Sequence, residues 1–308
     1  MNITVLAGGI GAARFLAGLA SVVPPESTTA ICNVGDDLTW HGLHVSPDID
    51  SVLYTLAGIE GEHGWGVRGD THATLEGLRA IGLDEWFTIG DRDLATHLLR
   101  SERLRAGDSL SQATAAVAAA RGVRVRVLPV TDDPHPTVVR TAEGDLAFQD
   151  YFVRRRAGIP VTGFAFPGAA TARPAPGVIE AIRDADVVVI APSNPFVSIG
   201  PLLEVPGVRD ALASSRAWRV AVSPIIGGAA VKGPAAEMMA ALGHDVSALG
   251  VARLYAGLID LFVLDEVDAA LVPQVEALGL RAVAFDTIMT GDEGRARVAH
   301  AVIEAGRA

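Results

Sequence analysis

Asp186-Val-Val-Val-Ile190 runs directly into Ala191-Pro-Ser-Asn-Pro-Phe-Val-Ser-Ile-Gly-Pro201. The first segment is a short β-branched run, which reads as a strand buried on both faces of a parallel sheet. The second is a loop of small and polar residues stiffened by Pro192, Pro195 and Pro201. Ligands of an open α/β sheet bind just outside the carboxyl ends of the strands. Ser193, Asn194 and Ser198 offer hydrogen bonds there without bulk. Asn194 precedes a proline, which pushes it to an extended conformation that presents its amide outward. A stiff connection between strand and helix would have the same composition.

The same alternation recurs on both sides of this stretch. Strands are expected at Ile3–Leu6, Thr28–Cys32, Val123–Val130, Val187–Ile190, Trp218–Ser223, Leu261–Leu264 and Arg281–Phe285. Helices are expected at Ala12–Val22, Val178–Asp184, Val208–Ser215, Ala235–Leu242, Ser247–Gly257 and Asp292–Ala305. Strands separated by helices predict an α/β fold with a doubly wound, mostly parallel, Rossmann-like sheet. Between about 49 and 121 helical patterns follow one another without strands, broken near Gly61–Gly69 and at Gly107. This block reads as a helical insertion covering the strand ends, within a single domain of residues 1–308. Thr137 to Val153 holds a Glu143-Gly-Asp turn between alternating runs and predicts a β-hairpin.

Composition bounds the function. The chain has 308 residues, half of them hydrophobic, enough for one large α/β domain with a sizeable core. No apolar run approaches the ~20 residues of a membrane-spanning helix. Asn2-Ile-Thr-Val-Leu6 reads as a first strand rather than a signal peptide. The single cysteine, Cys32, allows no internal disulfide, and a cytoplasmic setting is expected. A net charge of −11 argues against general nucleic-acid affinity. Lys232 is the only lysine among basic residues that are otherwise arginine.

Four further constellations point to chemistry. Ala7-Gly-Gly-Ile-Gly-Ala-Ala-Arg14 is a glycine turn between strand and helix, where backbone N–H groups approach a phosphate. A dinucleotide fingerprint would place a third glycine at position 14; Arg14 stands there and can meet phosphate charge itself. A tight turn without ligand remains the alternative. Asp36 and Asp37 follow the second strand, and Asp48 and Asp50 lie in Ser46-Pro-Asp-Ile-Asp-Ser51. Two acidic pairs on loops at one sheet edge suit a hard divalent cation such as Mg²⁺, which bridges diphosphates in phosphoryl transfer. Alternatively Asp48 is a helix cap and Asp36 is solvated. In Thr88-Ile-Gly-Asp-Arg-Asp-Leu-Ala-Thr-His97, Asp91 or Asp93 can cap a helix. Ser223-Pro-Ile-Ile-Gly-Gly-Ala-Ala-Val-Lys-Gly-Pro234 adds backbone donors and Lys232 at the same sheet edge, suited to phosphate or simply a structural loop.

Two signals are set aside. Gly107-Asp-Ser-Leu110 matches a hydrolase tetrapeptide, but no strand precedes it, so Ser109 or Ser111 reads as a helix cap. The eight histidines have no metal-ligand spacing, which speaks against zinc.

Ala7-Gly-Gly-Ile-Gly11, Asn33-Val-Gly-Asp-Asp37, Ser46-Pro-Asp-Ile-Asp50, Gly90-Asp-Arg-Asp-Leu-Ala-Thr-His97, Phe148-Gln-Asp150, Pro192-Ser-Asn-Pro195, Ser198-Ile-Gly-Pro201 and Ser223-Pro-Ile-Ile226 occur in this order. Together they resemble the 2-phospho-L-lactate transferase family, including its phosphoenolpyruvate transferase members, of coenzyme F-420 biosynthesis. The resemblance covers essentially the whole chain. It implies transfer of a phosphoenolpyruvyl or 2-phospholactyl group from a guanosine-diphosphate-activated donor to the ribityl hydroxyl of the deazaflavin Fo. GMP leaves, and coenzyme F-420-0 or its dehydro form results. Mg²⁺ is the implied cofactor, and a homodimer is expected, with an exposed apolar hairpin around Phe148–Val153 as its surface.

The resemblance also distributes roles. It implies that Gly9, Gly11, Ala12 and Arg14 line the phosphate side. Ser193, Asn194, Pro195, Ser198 and Gly200 would bind the guanosine part, with Lys232 on the nucleotide side. Asp50 would sit at the reacting centre, holding metal or the Fo hydroxyl, with Asp36 or Asp37 completing the metal site. Asp48, Thr88 and Asp91 would lie beside Fo. Two other classes share features. A non-catalytic nucleotide-sugar-binding regulator has the glycine turn and the Ser-Asn-Pro loop but no need of Gly90-Asp-Arg-Asp93 or Phe148-Gln-Asp150. A nicotinamide-dependent dehydrogenase would carry glycine at position 14. A cation at Lys232 is expected to favour the phosphoenolpyruvate-derived donor. Assaying Lys232→Ser with both donors tests this, and an unchanged preference removes the idea.

Overall fold

The computed structural model describes residues 1–83 and 86–307. Its sheet is laid out about β1 (Ile3–Ala7), which is buried along its whole length. The other strands are β2 (Thr28–Cys32), β3 (Arg126–Pro129), β4 (Val187–Ile190), β5 (Trp218–Val222), β6 (Leu261–Leu264) and β7 (Arg281–Ala284). Their spatial order is β7-β6-β5-β4-β1-β2-β3, and every neighbouring pair is parallel. The doubly wound, Rossmann-like sheet read from the alternation is therefore what the chain forms. β1, β4 and β6 are apolar runs buried on both faces, as strands covered by helices must be.

The register brings the loops together. Ala7 pairs with Cys32, Leu6 with Ile190, and Ala221 with Ile190. The segments after β1, β2, β4 and β5 thus leave the sheet at the same level. From β1 the chain goes to β2 on one side, and later returns as β4 on the other. That makes the β1/β4 boundary the topological switch point, where a crevice opens.

α1 (Gly9–Val22) buries Ile10, Ala12, Ala13, Phe15, Leu16 and Leu19, the 3.6-residue stripe expected of a helix on a sheet. It packs against the C-terminal helix Gly291–Arg307 so closely that a Cβ at Gly18 would collide with the carbonyl oxygen of Arg295. Within the helical block, α2 (Pro47–Leu56) and α5 (Leu110–Ala120) contribute Ile49, Val52, Leu53, Leu110 and Val117 to the main core. Ser109 caps α5 with Gln112 in a reciprocal capping box, so the hydrolase-like tetrapeptide presents no nucleophile. Between them, α3 (Ala73–Ala80) and α4 (Asp91–Arg105) stand with a small separate core of Trp40, Leu43, Val45, Leu75 and Ile89.

The expected hairpin exists as Val138–Thr141 and Gly144–Ala147. Val161–Ala165 extends it to three antiparallel strands. Phe148 and Tyr151, expected on an exposed apolar surface, are buried with Val139, Val161, Val197 and Met238. They fill a small core between this sheet and the β4 loop, so they offer no surface for a dimer. No helix among the described residues is long and apolar enough to cross a membrane.

Gly18→Ala tests the α1 contact. The added methyl must push the last helix off α1, and a loss of about 2 kcal/mol or more is expected in urea unfolding. An unchanged midpoint would show that the two helices separate freely.

Candidate functional site

A cavity of about 950 Å³ opens where β1, β4 and β5 end. Gly8, Gly9, Gly11 and Arg14 line one side, and Pro192, Ser193, Asn194 and Ser198 the next. Ser223, Pro224 and the Val231–Ala235 segment form a further wall, and Asp36, Asp48 and Asp50 the floor. Gly61, Trp65, Val67, Asp70, His72 and Phe87 also line it, with Phe148 and Phe152.

The two glycine-bearing loops interlock. Ser193 Oγ donates to the carbonyl of Gly8 at 2.8 Å. A Cβ at Gly8 would lie 2.6 Å from that of Ser198, and a Cβ at Gly11 would collide with the Pro192 carbonyl. Gly9 has φ +72°, which favours glycine. The absence of side chains here is thus enforced by the packing of the β1 loop on the β4 loop, and it leaves the backbone facing the cavity.

Of the residues expected to hold a nucleotide, Gly9, Gly11, Arg14, Ser193, Asn194, Ser198 and Lys232 line the cavity. Ala12, Pro195 and Gly200 do not. Ala12 and Pro195 are buried, on the sheet side of α1 and inside the helical turn after Asn194, and Gly200 sits against the Pro195 carbonyl. Asn194 does not present its amide outward. Its Oδ1 accepts from Phe196 N at 2.9 Å and its Nδ2 reaches Met238 Sδ at 3.2 Å, so it caps the following turn. Lys232 Nζ donates to the His63 carbonyl at 2.9 Å and sits over the Trp65 ring, 5.7 Å from its centre.

The acidic residues divide differently from the expectation. Asn33, fully buried, donates from one Nδ2 to Asp36 Oδ1 at 2.8 Å and to Asp48 Oδ2 at 2.9 Å. Of these two carboxylates, Asp48 lies against the Gly8–Gly9 turn. Burial, then the neighbouring Asp48, holds Asp36 well above the usual carboxylate range. Burial pushes Asp48 up to about 6, although Asn33 and the Gly9 N–H favour its charged form.

Asp37 and Asp50, expected as metal ligands, are committed elsewhere. Asp37 pairs with His44 Nε2 and accepts from Ser46 Oγ, each at 2.8 Å, and does not line the cavity. Both oxygens of Asp50 are held by the buried guanidinium of Arg100, with His97 Nδ1 at 3.6 Å. His97 Nε2 lies 3.1 Å from Asp93 Oδ1, which also accepts from Tyr54 at 2.6 Å. Asp50, Tyr54, Asp93 and His97 all line the cavity. Asp93, His97 and Arg100 share one face of α4 at spacings of four and three. That spacing was the available signal for this network.

Thr88 lines the cavity as expected, but Asp91 does not. Asp91 accepts from Thr71 Oγ1 and from the N–H groups of Ala73 and Thr74, closing the start of α3. These donors hold its carboxyl far below the usual range.

Among the described residues, no three His, Cys, Asp or Glu side chains are grouped as a metal shell. Asp36 and Asp48 are nonetheless two buried, mutually repelling carboxylates with one neutral amide between them. A hard cation that keeps waters and takes phosphate oxygens fits such a pair.

The sign of the charge cost at Asp48 is testable. Its folded pKa lies above the unfolded value, so the cost is absent below about pH 4 and full above about pH 6. Asp48→Asn removes it and keeps an oxygen for Asn33. In chelator, the variant is expected to be more stable than the parent at pH 8 by on the order of 1–3 kcal/mol. The gain should shrink towards zero at about pH 3.5. Equal gains at both pH values in urea unfolding would contradict the buried-charge account.

Comparison with known proteins agrees with this architecture. The model of the family described as "2-phospho-L-lactate transferase CofD" matches residues 3–303. A phosphoenolpyruvate transferase of Streptomyces griseus is 46% identical over 311 residues, covering 99% of this chain and 98% of its own. A 2-phospho-L-lactate transferase of Methanosarcina mazei is 40% identical over 302 residues, covering 98% and 99%. A solved Bacillus halodurans protein of the upf0052 family shares the fold, with a TM-score of 0.63, 20% identity and 98% of each chain covered. The sequence resemblance is therefore confirmed: this chain belongs to the 2-phospho-L-lactate transferase CofD family.

Proposed function

We propose that the cavity transfers a phosphoenolpyruvyl group from a guanosine-diphosphate-activated donor to the terminal ribityl hydroxyl of Fo. The observation that carries this reading is the pair Asp36 and Asp48, converging on Asn33, with Asp48 against the Gly8–Gly9 turn. A diphosphate on that turn would bring its charge next to the two carboxylates, which a divalent cation must reconcile. The relatives support the donor: the Streptomyces griseus phosphoenolpyruvate transferase is more similar than the Methanosarcina mazei 2-phospho-L-lactate transferase.

In this reading the hydroxyl oxygen of Fo forms a new bond to the phosphorus bearing the three-carbon acid. The bond from that phosphorus to the bridging oxygen breaks, GMP leaves with the electron pair, and the hydroxyl proton is given up to the leaving GMP phosphate or to solvent. The product is a phosphodiester. Asp36 and Asp48 would hold Mg²⁺, which supplies charge neutralisation for the diphosphate when bound. The N–H groups of the glycine turn receive the phosphate oxygens, and Arg14 adds positive charge at the same wall. Asp50 is a positioning anion. Arg100 and His97 fix its orientation, so it accepts from the Fo hydroxyl in one geometry. Thr88 lines the same cavity.

The division of the acids provides the test. Asp36→Asn and Asp48→Asn should each abolish Mn²⁺ binding in calorimetry and reduce transfer at least about 100-fold. Asp37→Asn should retain the metal. Loss of the metal in Asp37→Asn but not in Asp48→Asn overturns the assignment.

A further inference from the structure

We propose that a second, smaller cavity beside the first seats the carboxylate of the donor's three-carbon acid, an inference that rests on the function proposed above. This cavity of about 150 Å³ is lined by Arg14, Arg68 and Arg295, with Glu60 and Glu62. Ile10, Arg14, Gly61 and Glu62 line both cavities, so the two adjoin. The loop that carries Glu60 and Glu62 is packed onto α1, where a Cβ at Gly64 would lie 2.8 Å from Ile10 Cγ2.

The charges in this lining are unevenly met. Arg295 places both Nη atoms on Glu60 Oε1, each at 3.1 Å. Glu60 Oε2 is 3.6 Å from Arg68 Nη2 and is buried without a hydrogen bond, as is Arg295 Nε. One glutamate is thus divided between two guanidiniums. Arg14 has no hydrogen bond or ion pair among the described residues. Three guanidiniums against two carboxylates leave one positive charge in the lining. Asp292, 3.6 Å from Arg295 Nη1, is fully exposed and lies outside the lining, so solvent screens it. Burial, then Arg295, lowers the pKa of Arg14, as befits a cation short of a counter-charge.

A monoanion balances such a lining. A carboxylate is planar and takes two parallel bonds from a guanidinium fork. Glu60 and Glu62 oppose a further negative charge, which favours a carboxylate over a phosphate dianion. In the donor the carboxyl group is borne by the carbon esterified to phosphate, so its site must adjoin the phosphate site. Arg14 stands one turn of α1 beyond Ile10, a rise of about 6 Å, and lines both cavities. It joins the glycine turn to the small cavity.

The test is steady-state transfer by the full chain with Mg²⁺, Fo and the guanosine-diphosphate-activated phosphoenolpyruvate donor, and with GDP as inhibitor. Arg68 and Arg295 do not line the main cavity. Arg68→Gln is expected to raise the donor KM about threefold or more, and Arg295→Gln about tenfold or more. Glu62→Gln removes an exposed carboxylate and should lower the donor KM about threefold, a gain that disturbed folding would not produce. The GDP inhibition constant should stay within about twofold in all three, because solvent screens charges at that range. Should Arg295→Gln melt well below the parent, Arg68→Gln and Glu62→Gln decide by themselves. A donor KM unchanged in both overturns the carboxylate site. An equal change in the GDP constant also overturns it, since the cavity would then serve the nucleotide's phosphates. Absence of transfer by the parent overturns the proposed function instead.

Discussion

The close crossing of the β1 and β4 loops is the constraint on which the rest depends. Gly8 and Gly11 leave no room for side chains because Ser198 and the Pro192 carbonyl occupy that space. The contact joins the two strands that flank the switch point, and Ser193 ties it with a hydrogen bond. Remove the glycines, and the crevice loses both its closure and its bare backbone. The same residues that let the two loops close therefore define where bare backbone faces the cavity. Architecture and site are not separable here.

A second constraint is electrostatic. Asn33 ends β2 with one amide group shared by two carboxylates, a neutral partner for more negative charge than it can balance. Such an arrangement weakens the ligand-free fold and gives a cation something to repay. By contrast both oxygens of Asp50 are met by the guanidinium of Arg100, which balances its charge. The floor of the cavity thus holds one unbalanced pair, Asp36 and Asp48, beside the balanced Asp50. This difference, more than the number of acids, marks the place where a ligand matters.

The sheet was legible because strands covered on both faces must be continuous apolar runs, as Val187–Ile190 and Leu261–Leu264 are. α1 was legible from its periodicity. Val161–Ala165 was not, because most of its residues are only half-buried and Gly163 interrupts the pattern. The hairpin Leu38–Trp40 and Leu43–Val45 turns through His41-Gly42, both with positive φ, and three-residue strands carry too little pattern to be seen. In the site, the glycine turns and the Ser193 loop were readable from local spacing. The joining of Asp36 to Asp48 through Asn33 was not, nor was the capture of Asp50, since Arg100 lies fifty residues further along the chain. Local sequence shows which residues can bear charge; only the packing shows which charges are already matched.

Lys232 bridges two loops at the cavity mouth, and it is the only lysine in the chain. Burial, with Arg14 nearby, lowers its pKa, so its amine is more often neutral than an ordinary surface lysine. Amine-reactive reagents therefore have a single lysine target in this chain, Lys232. A fluorophore or cross-linker of that chemistry would report on the cavity entrance in the native sequence, with no residue engineered in.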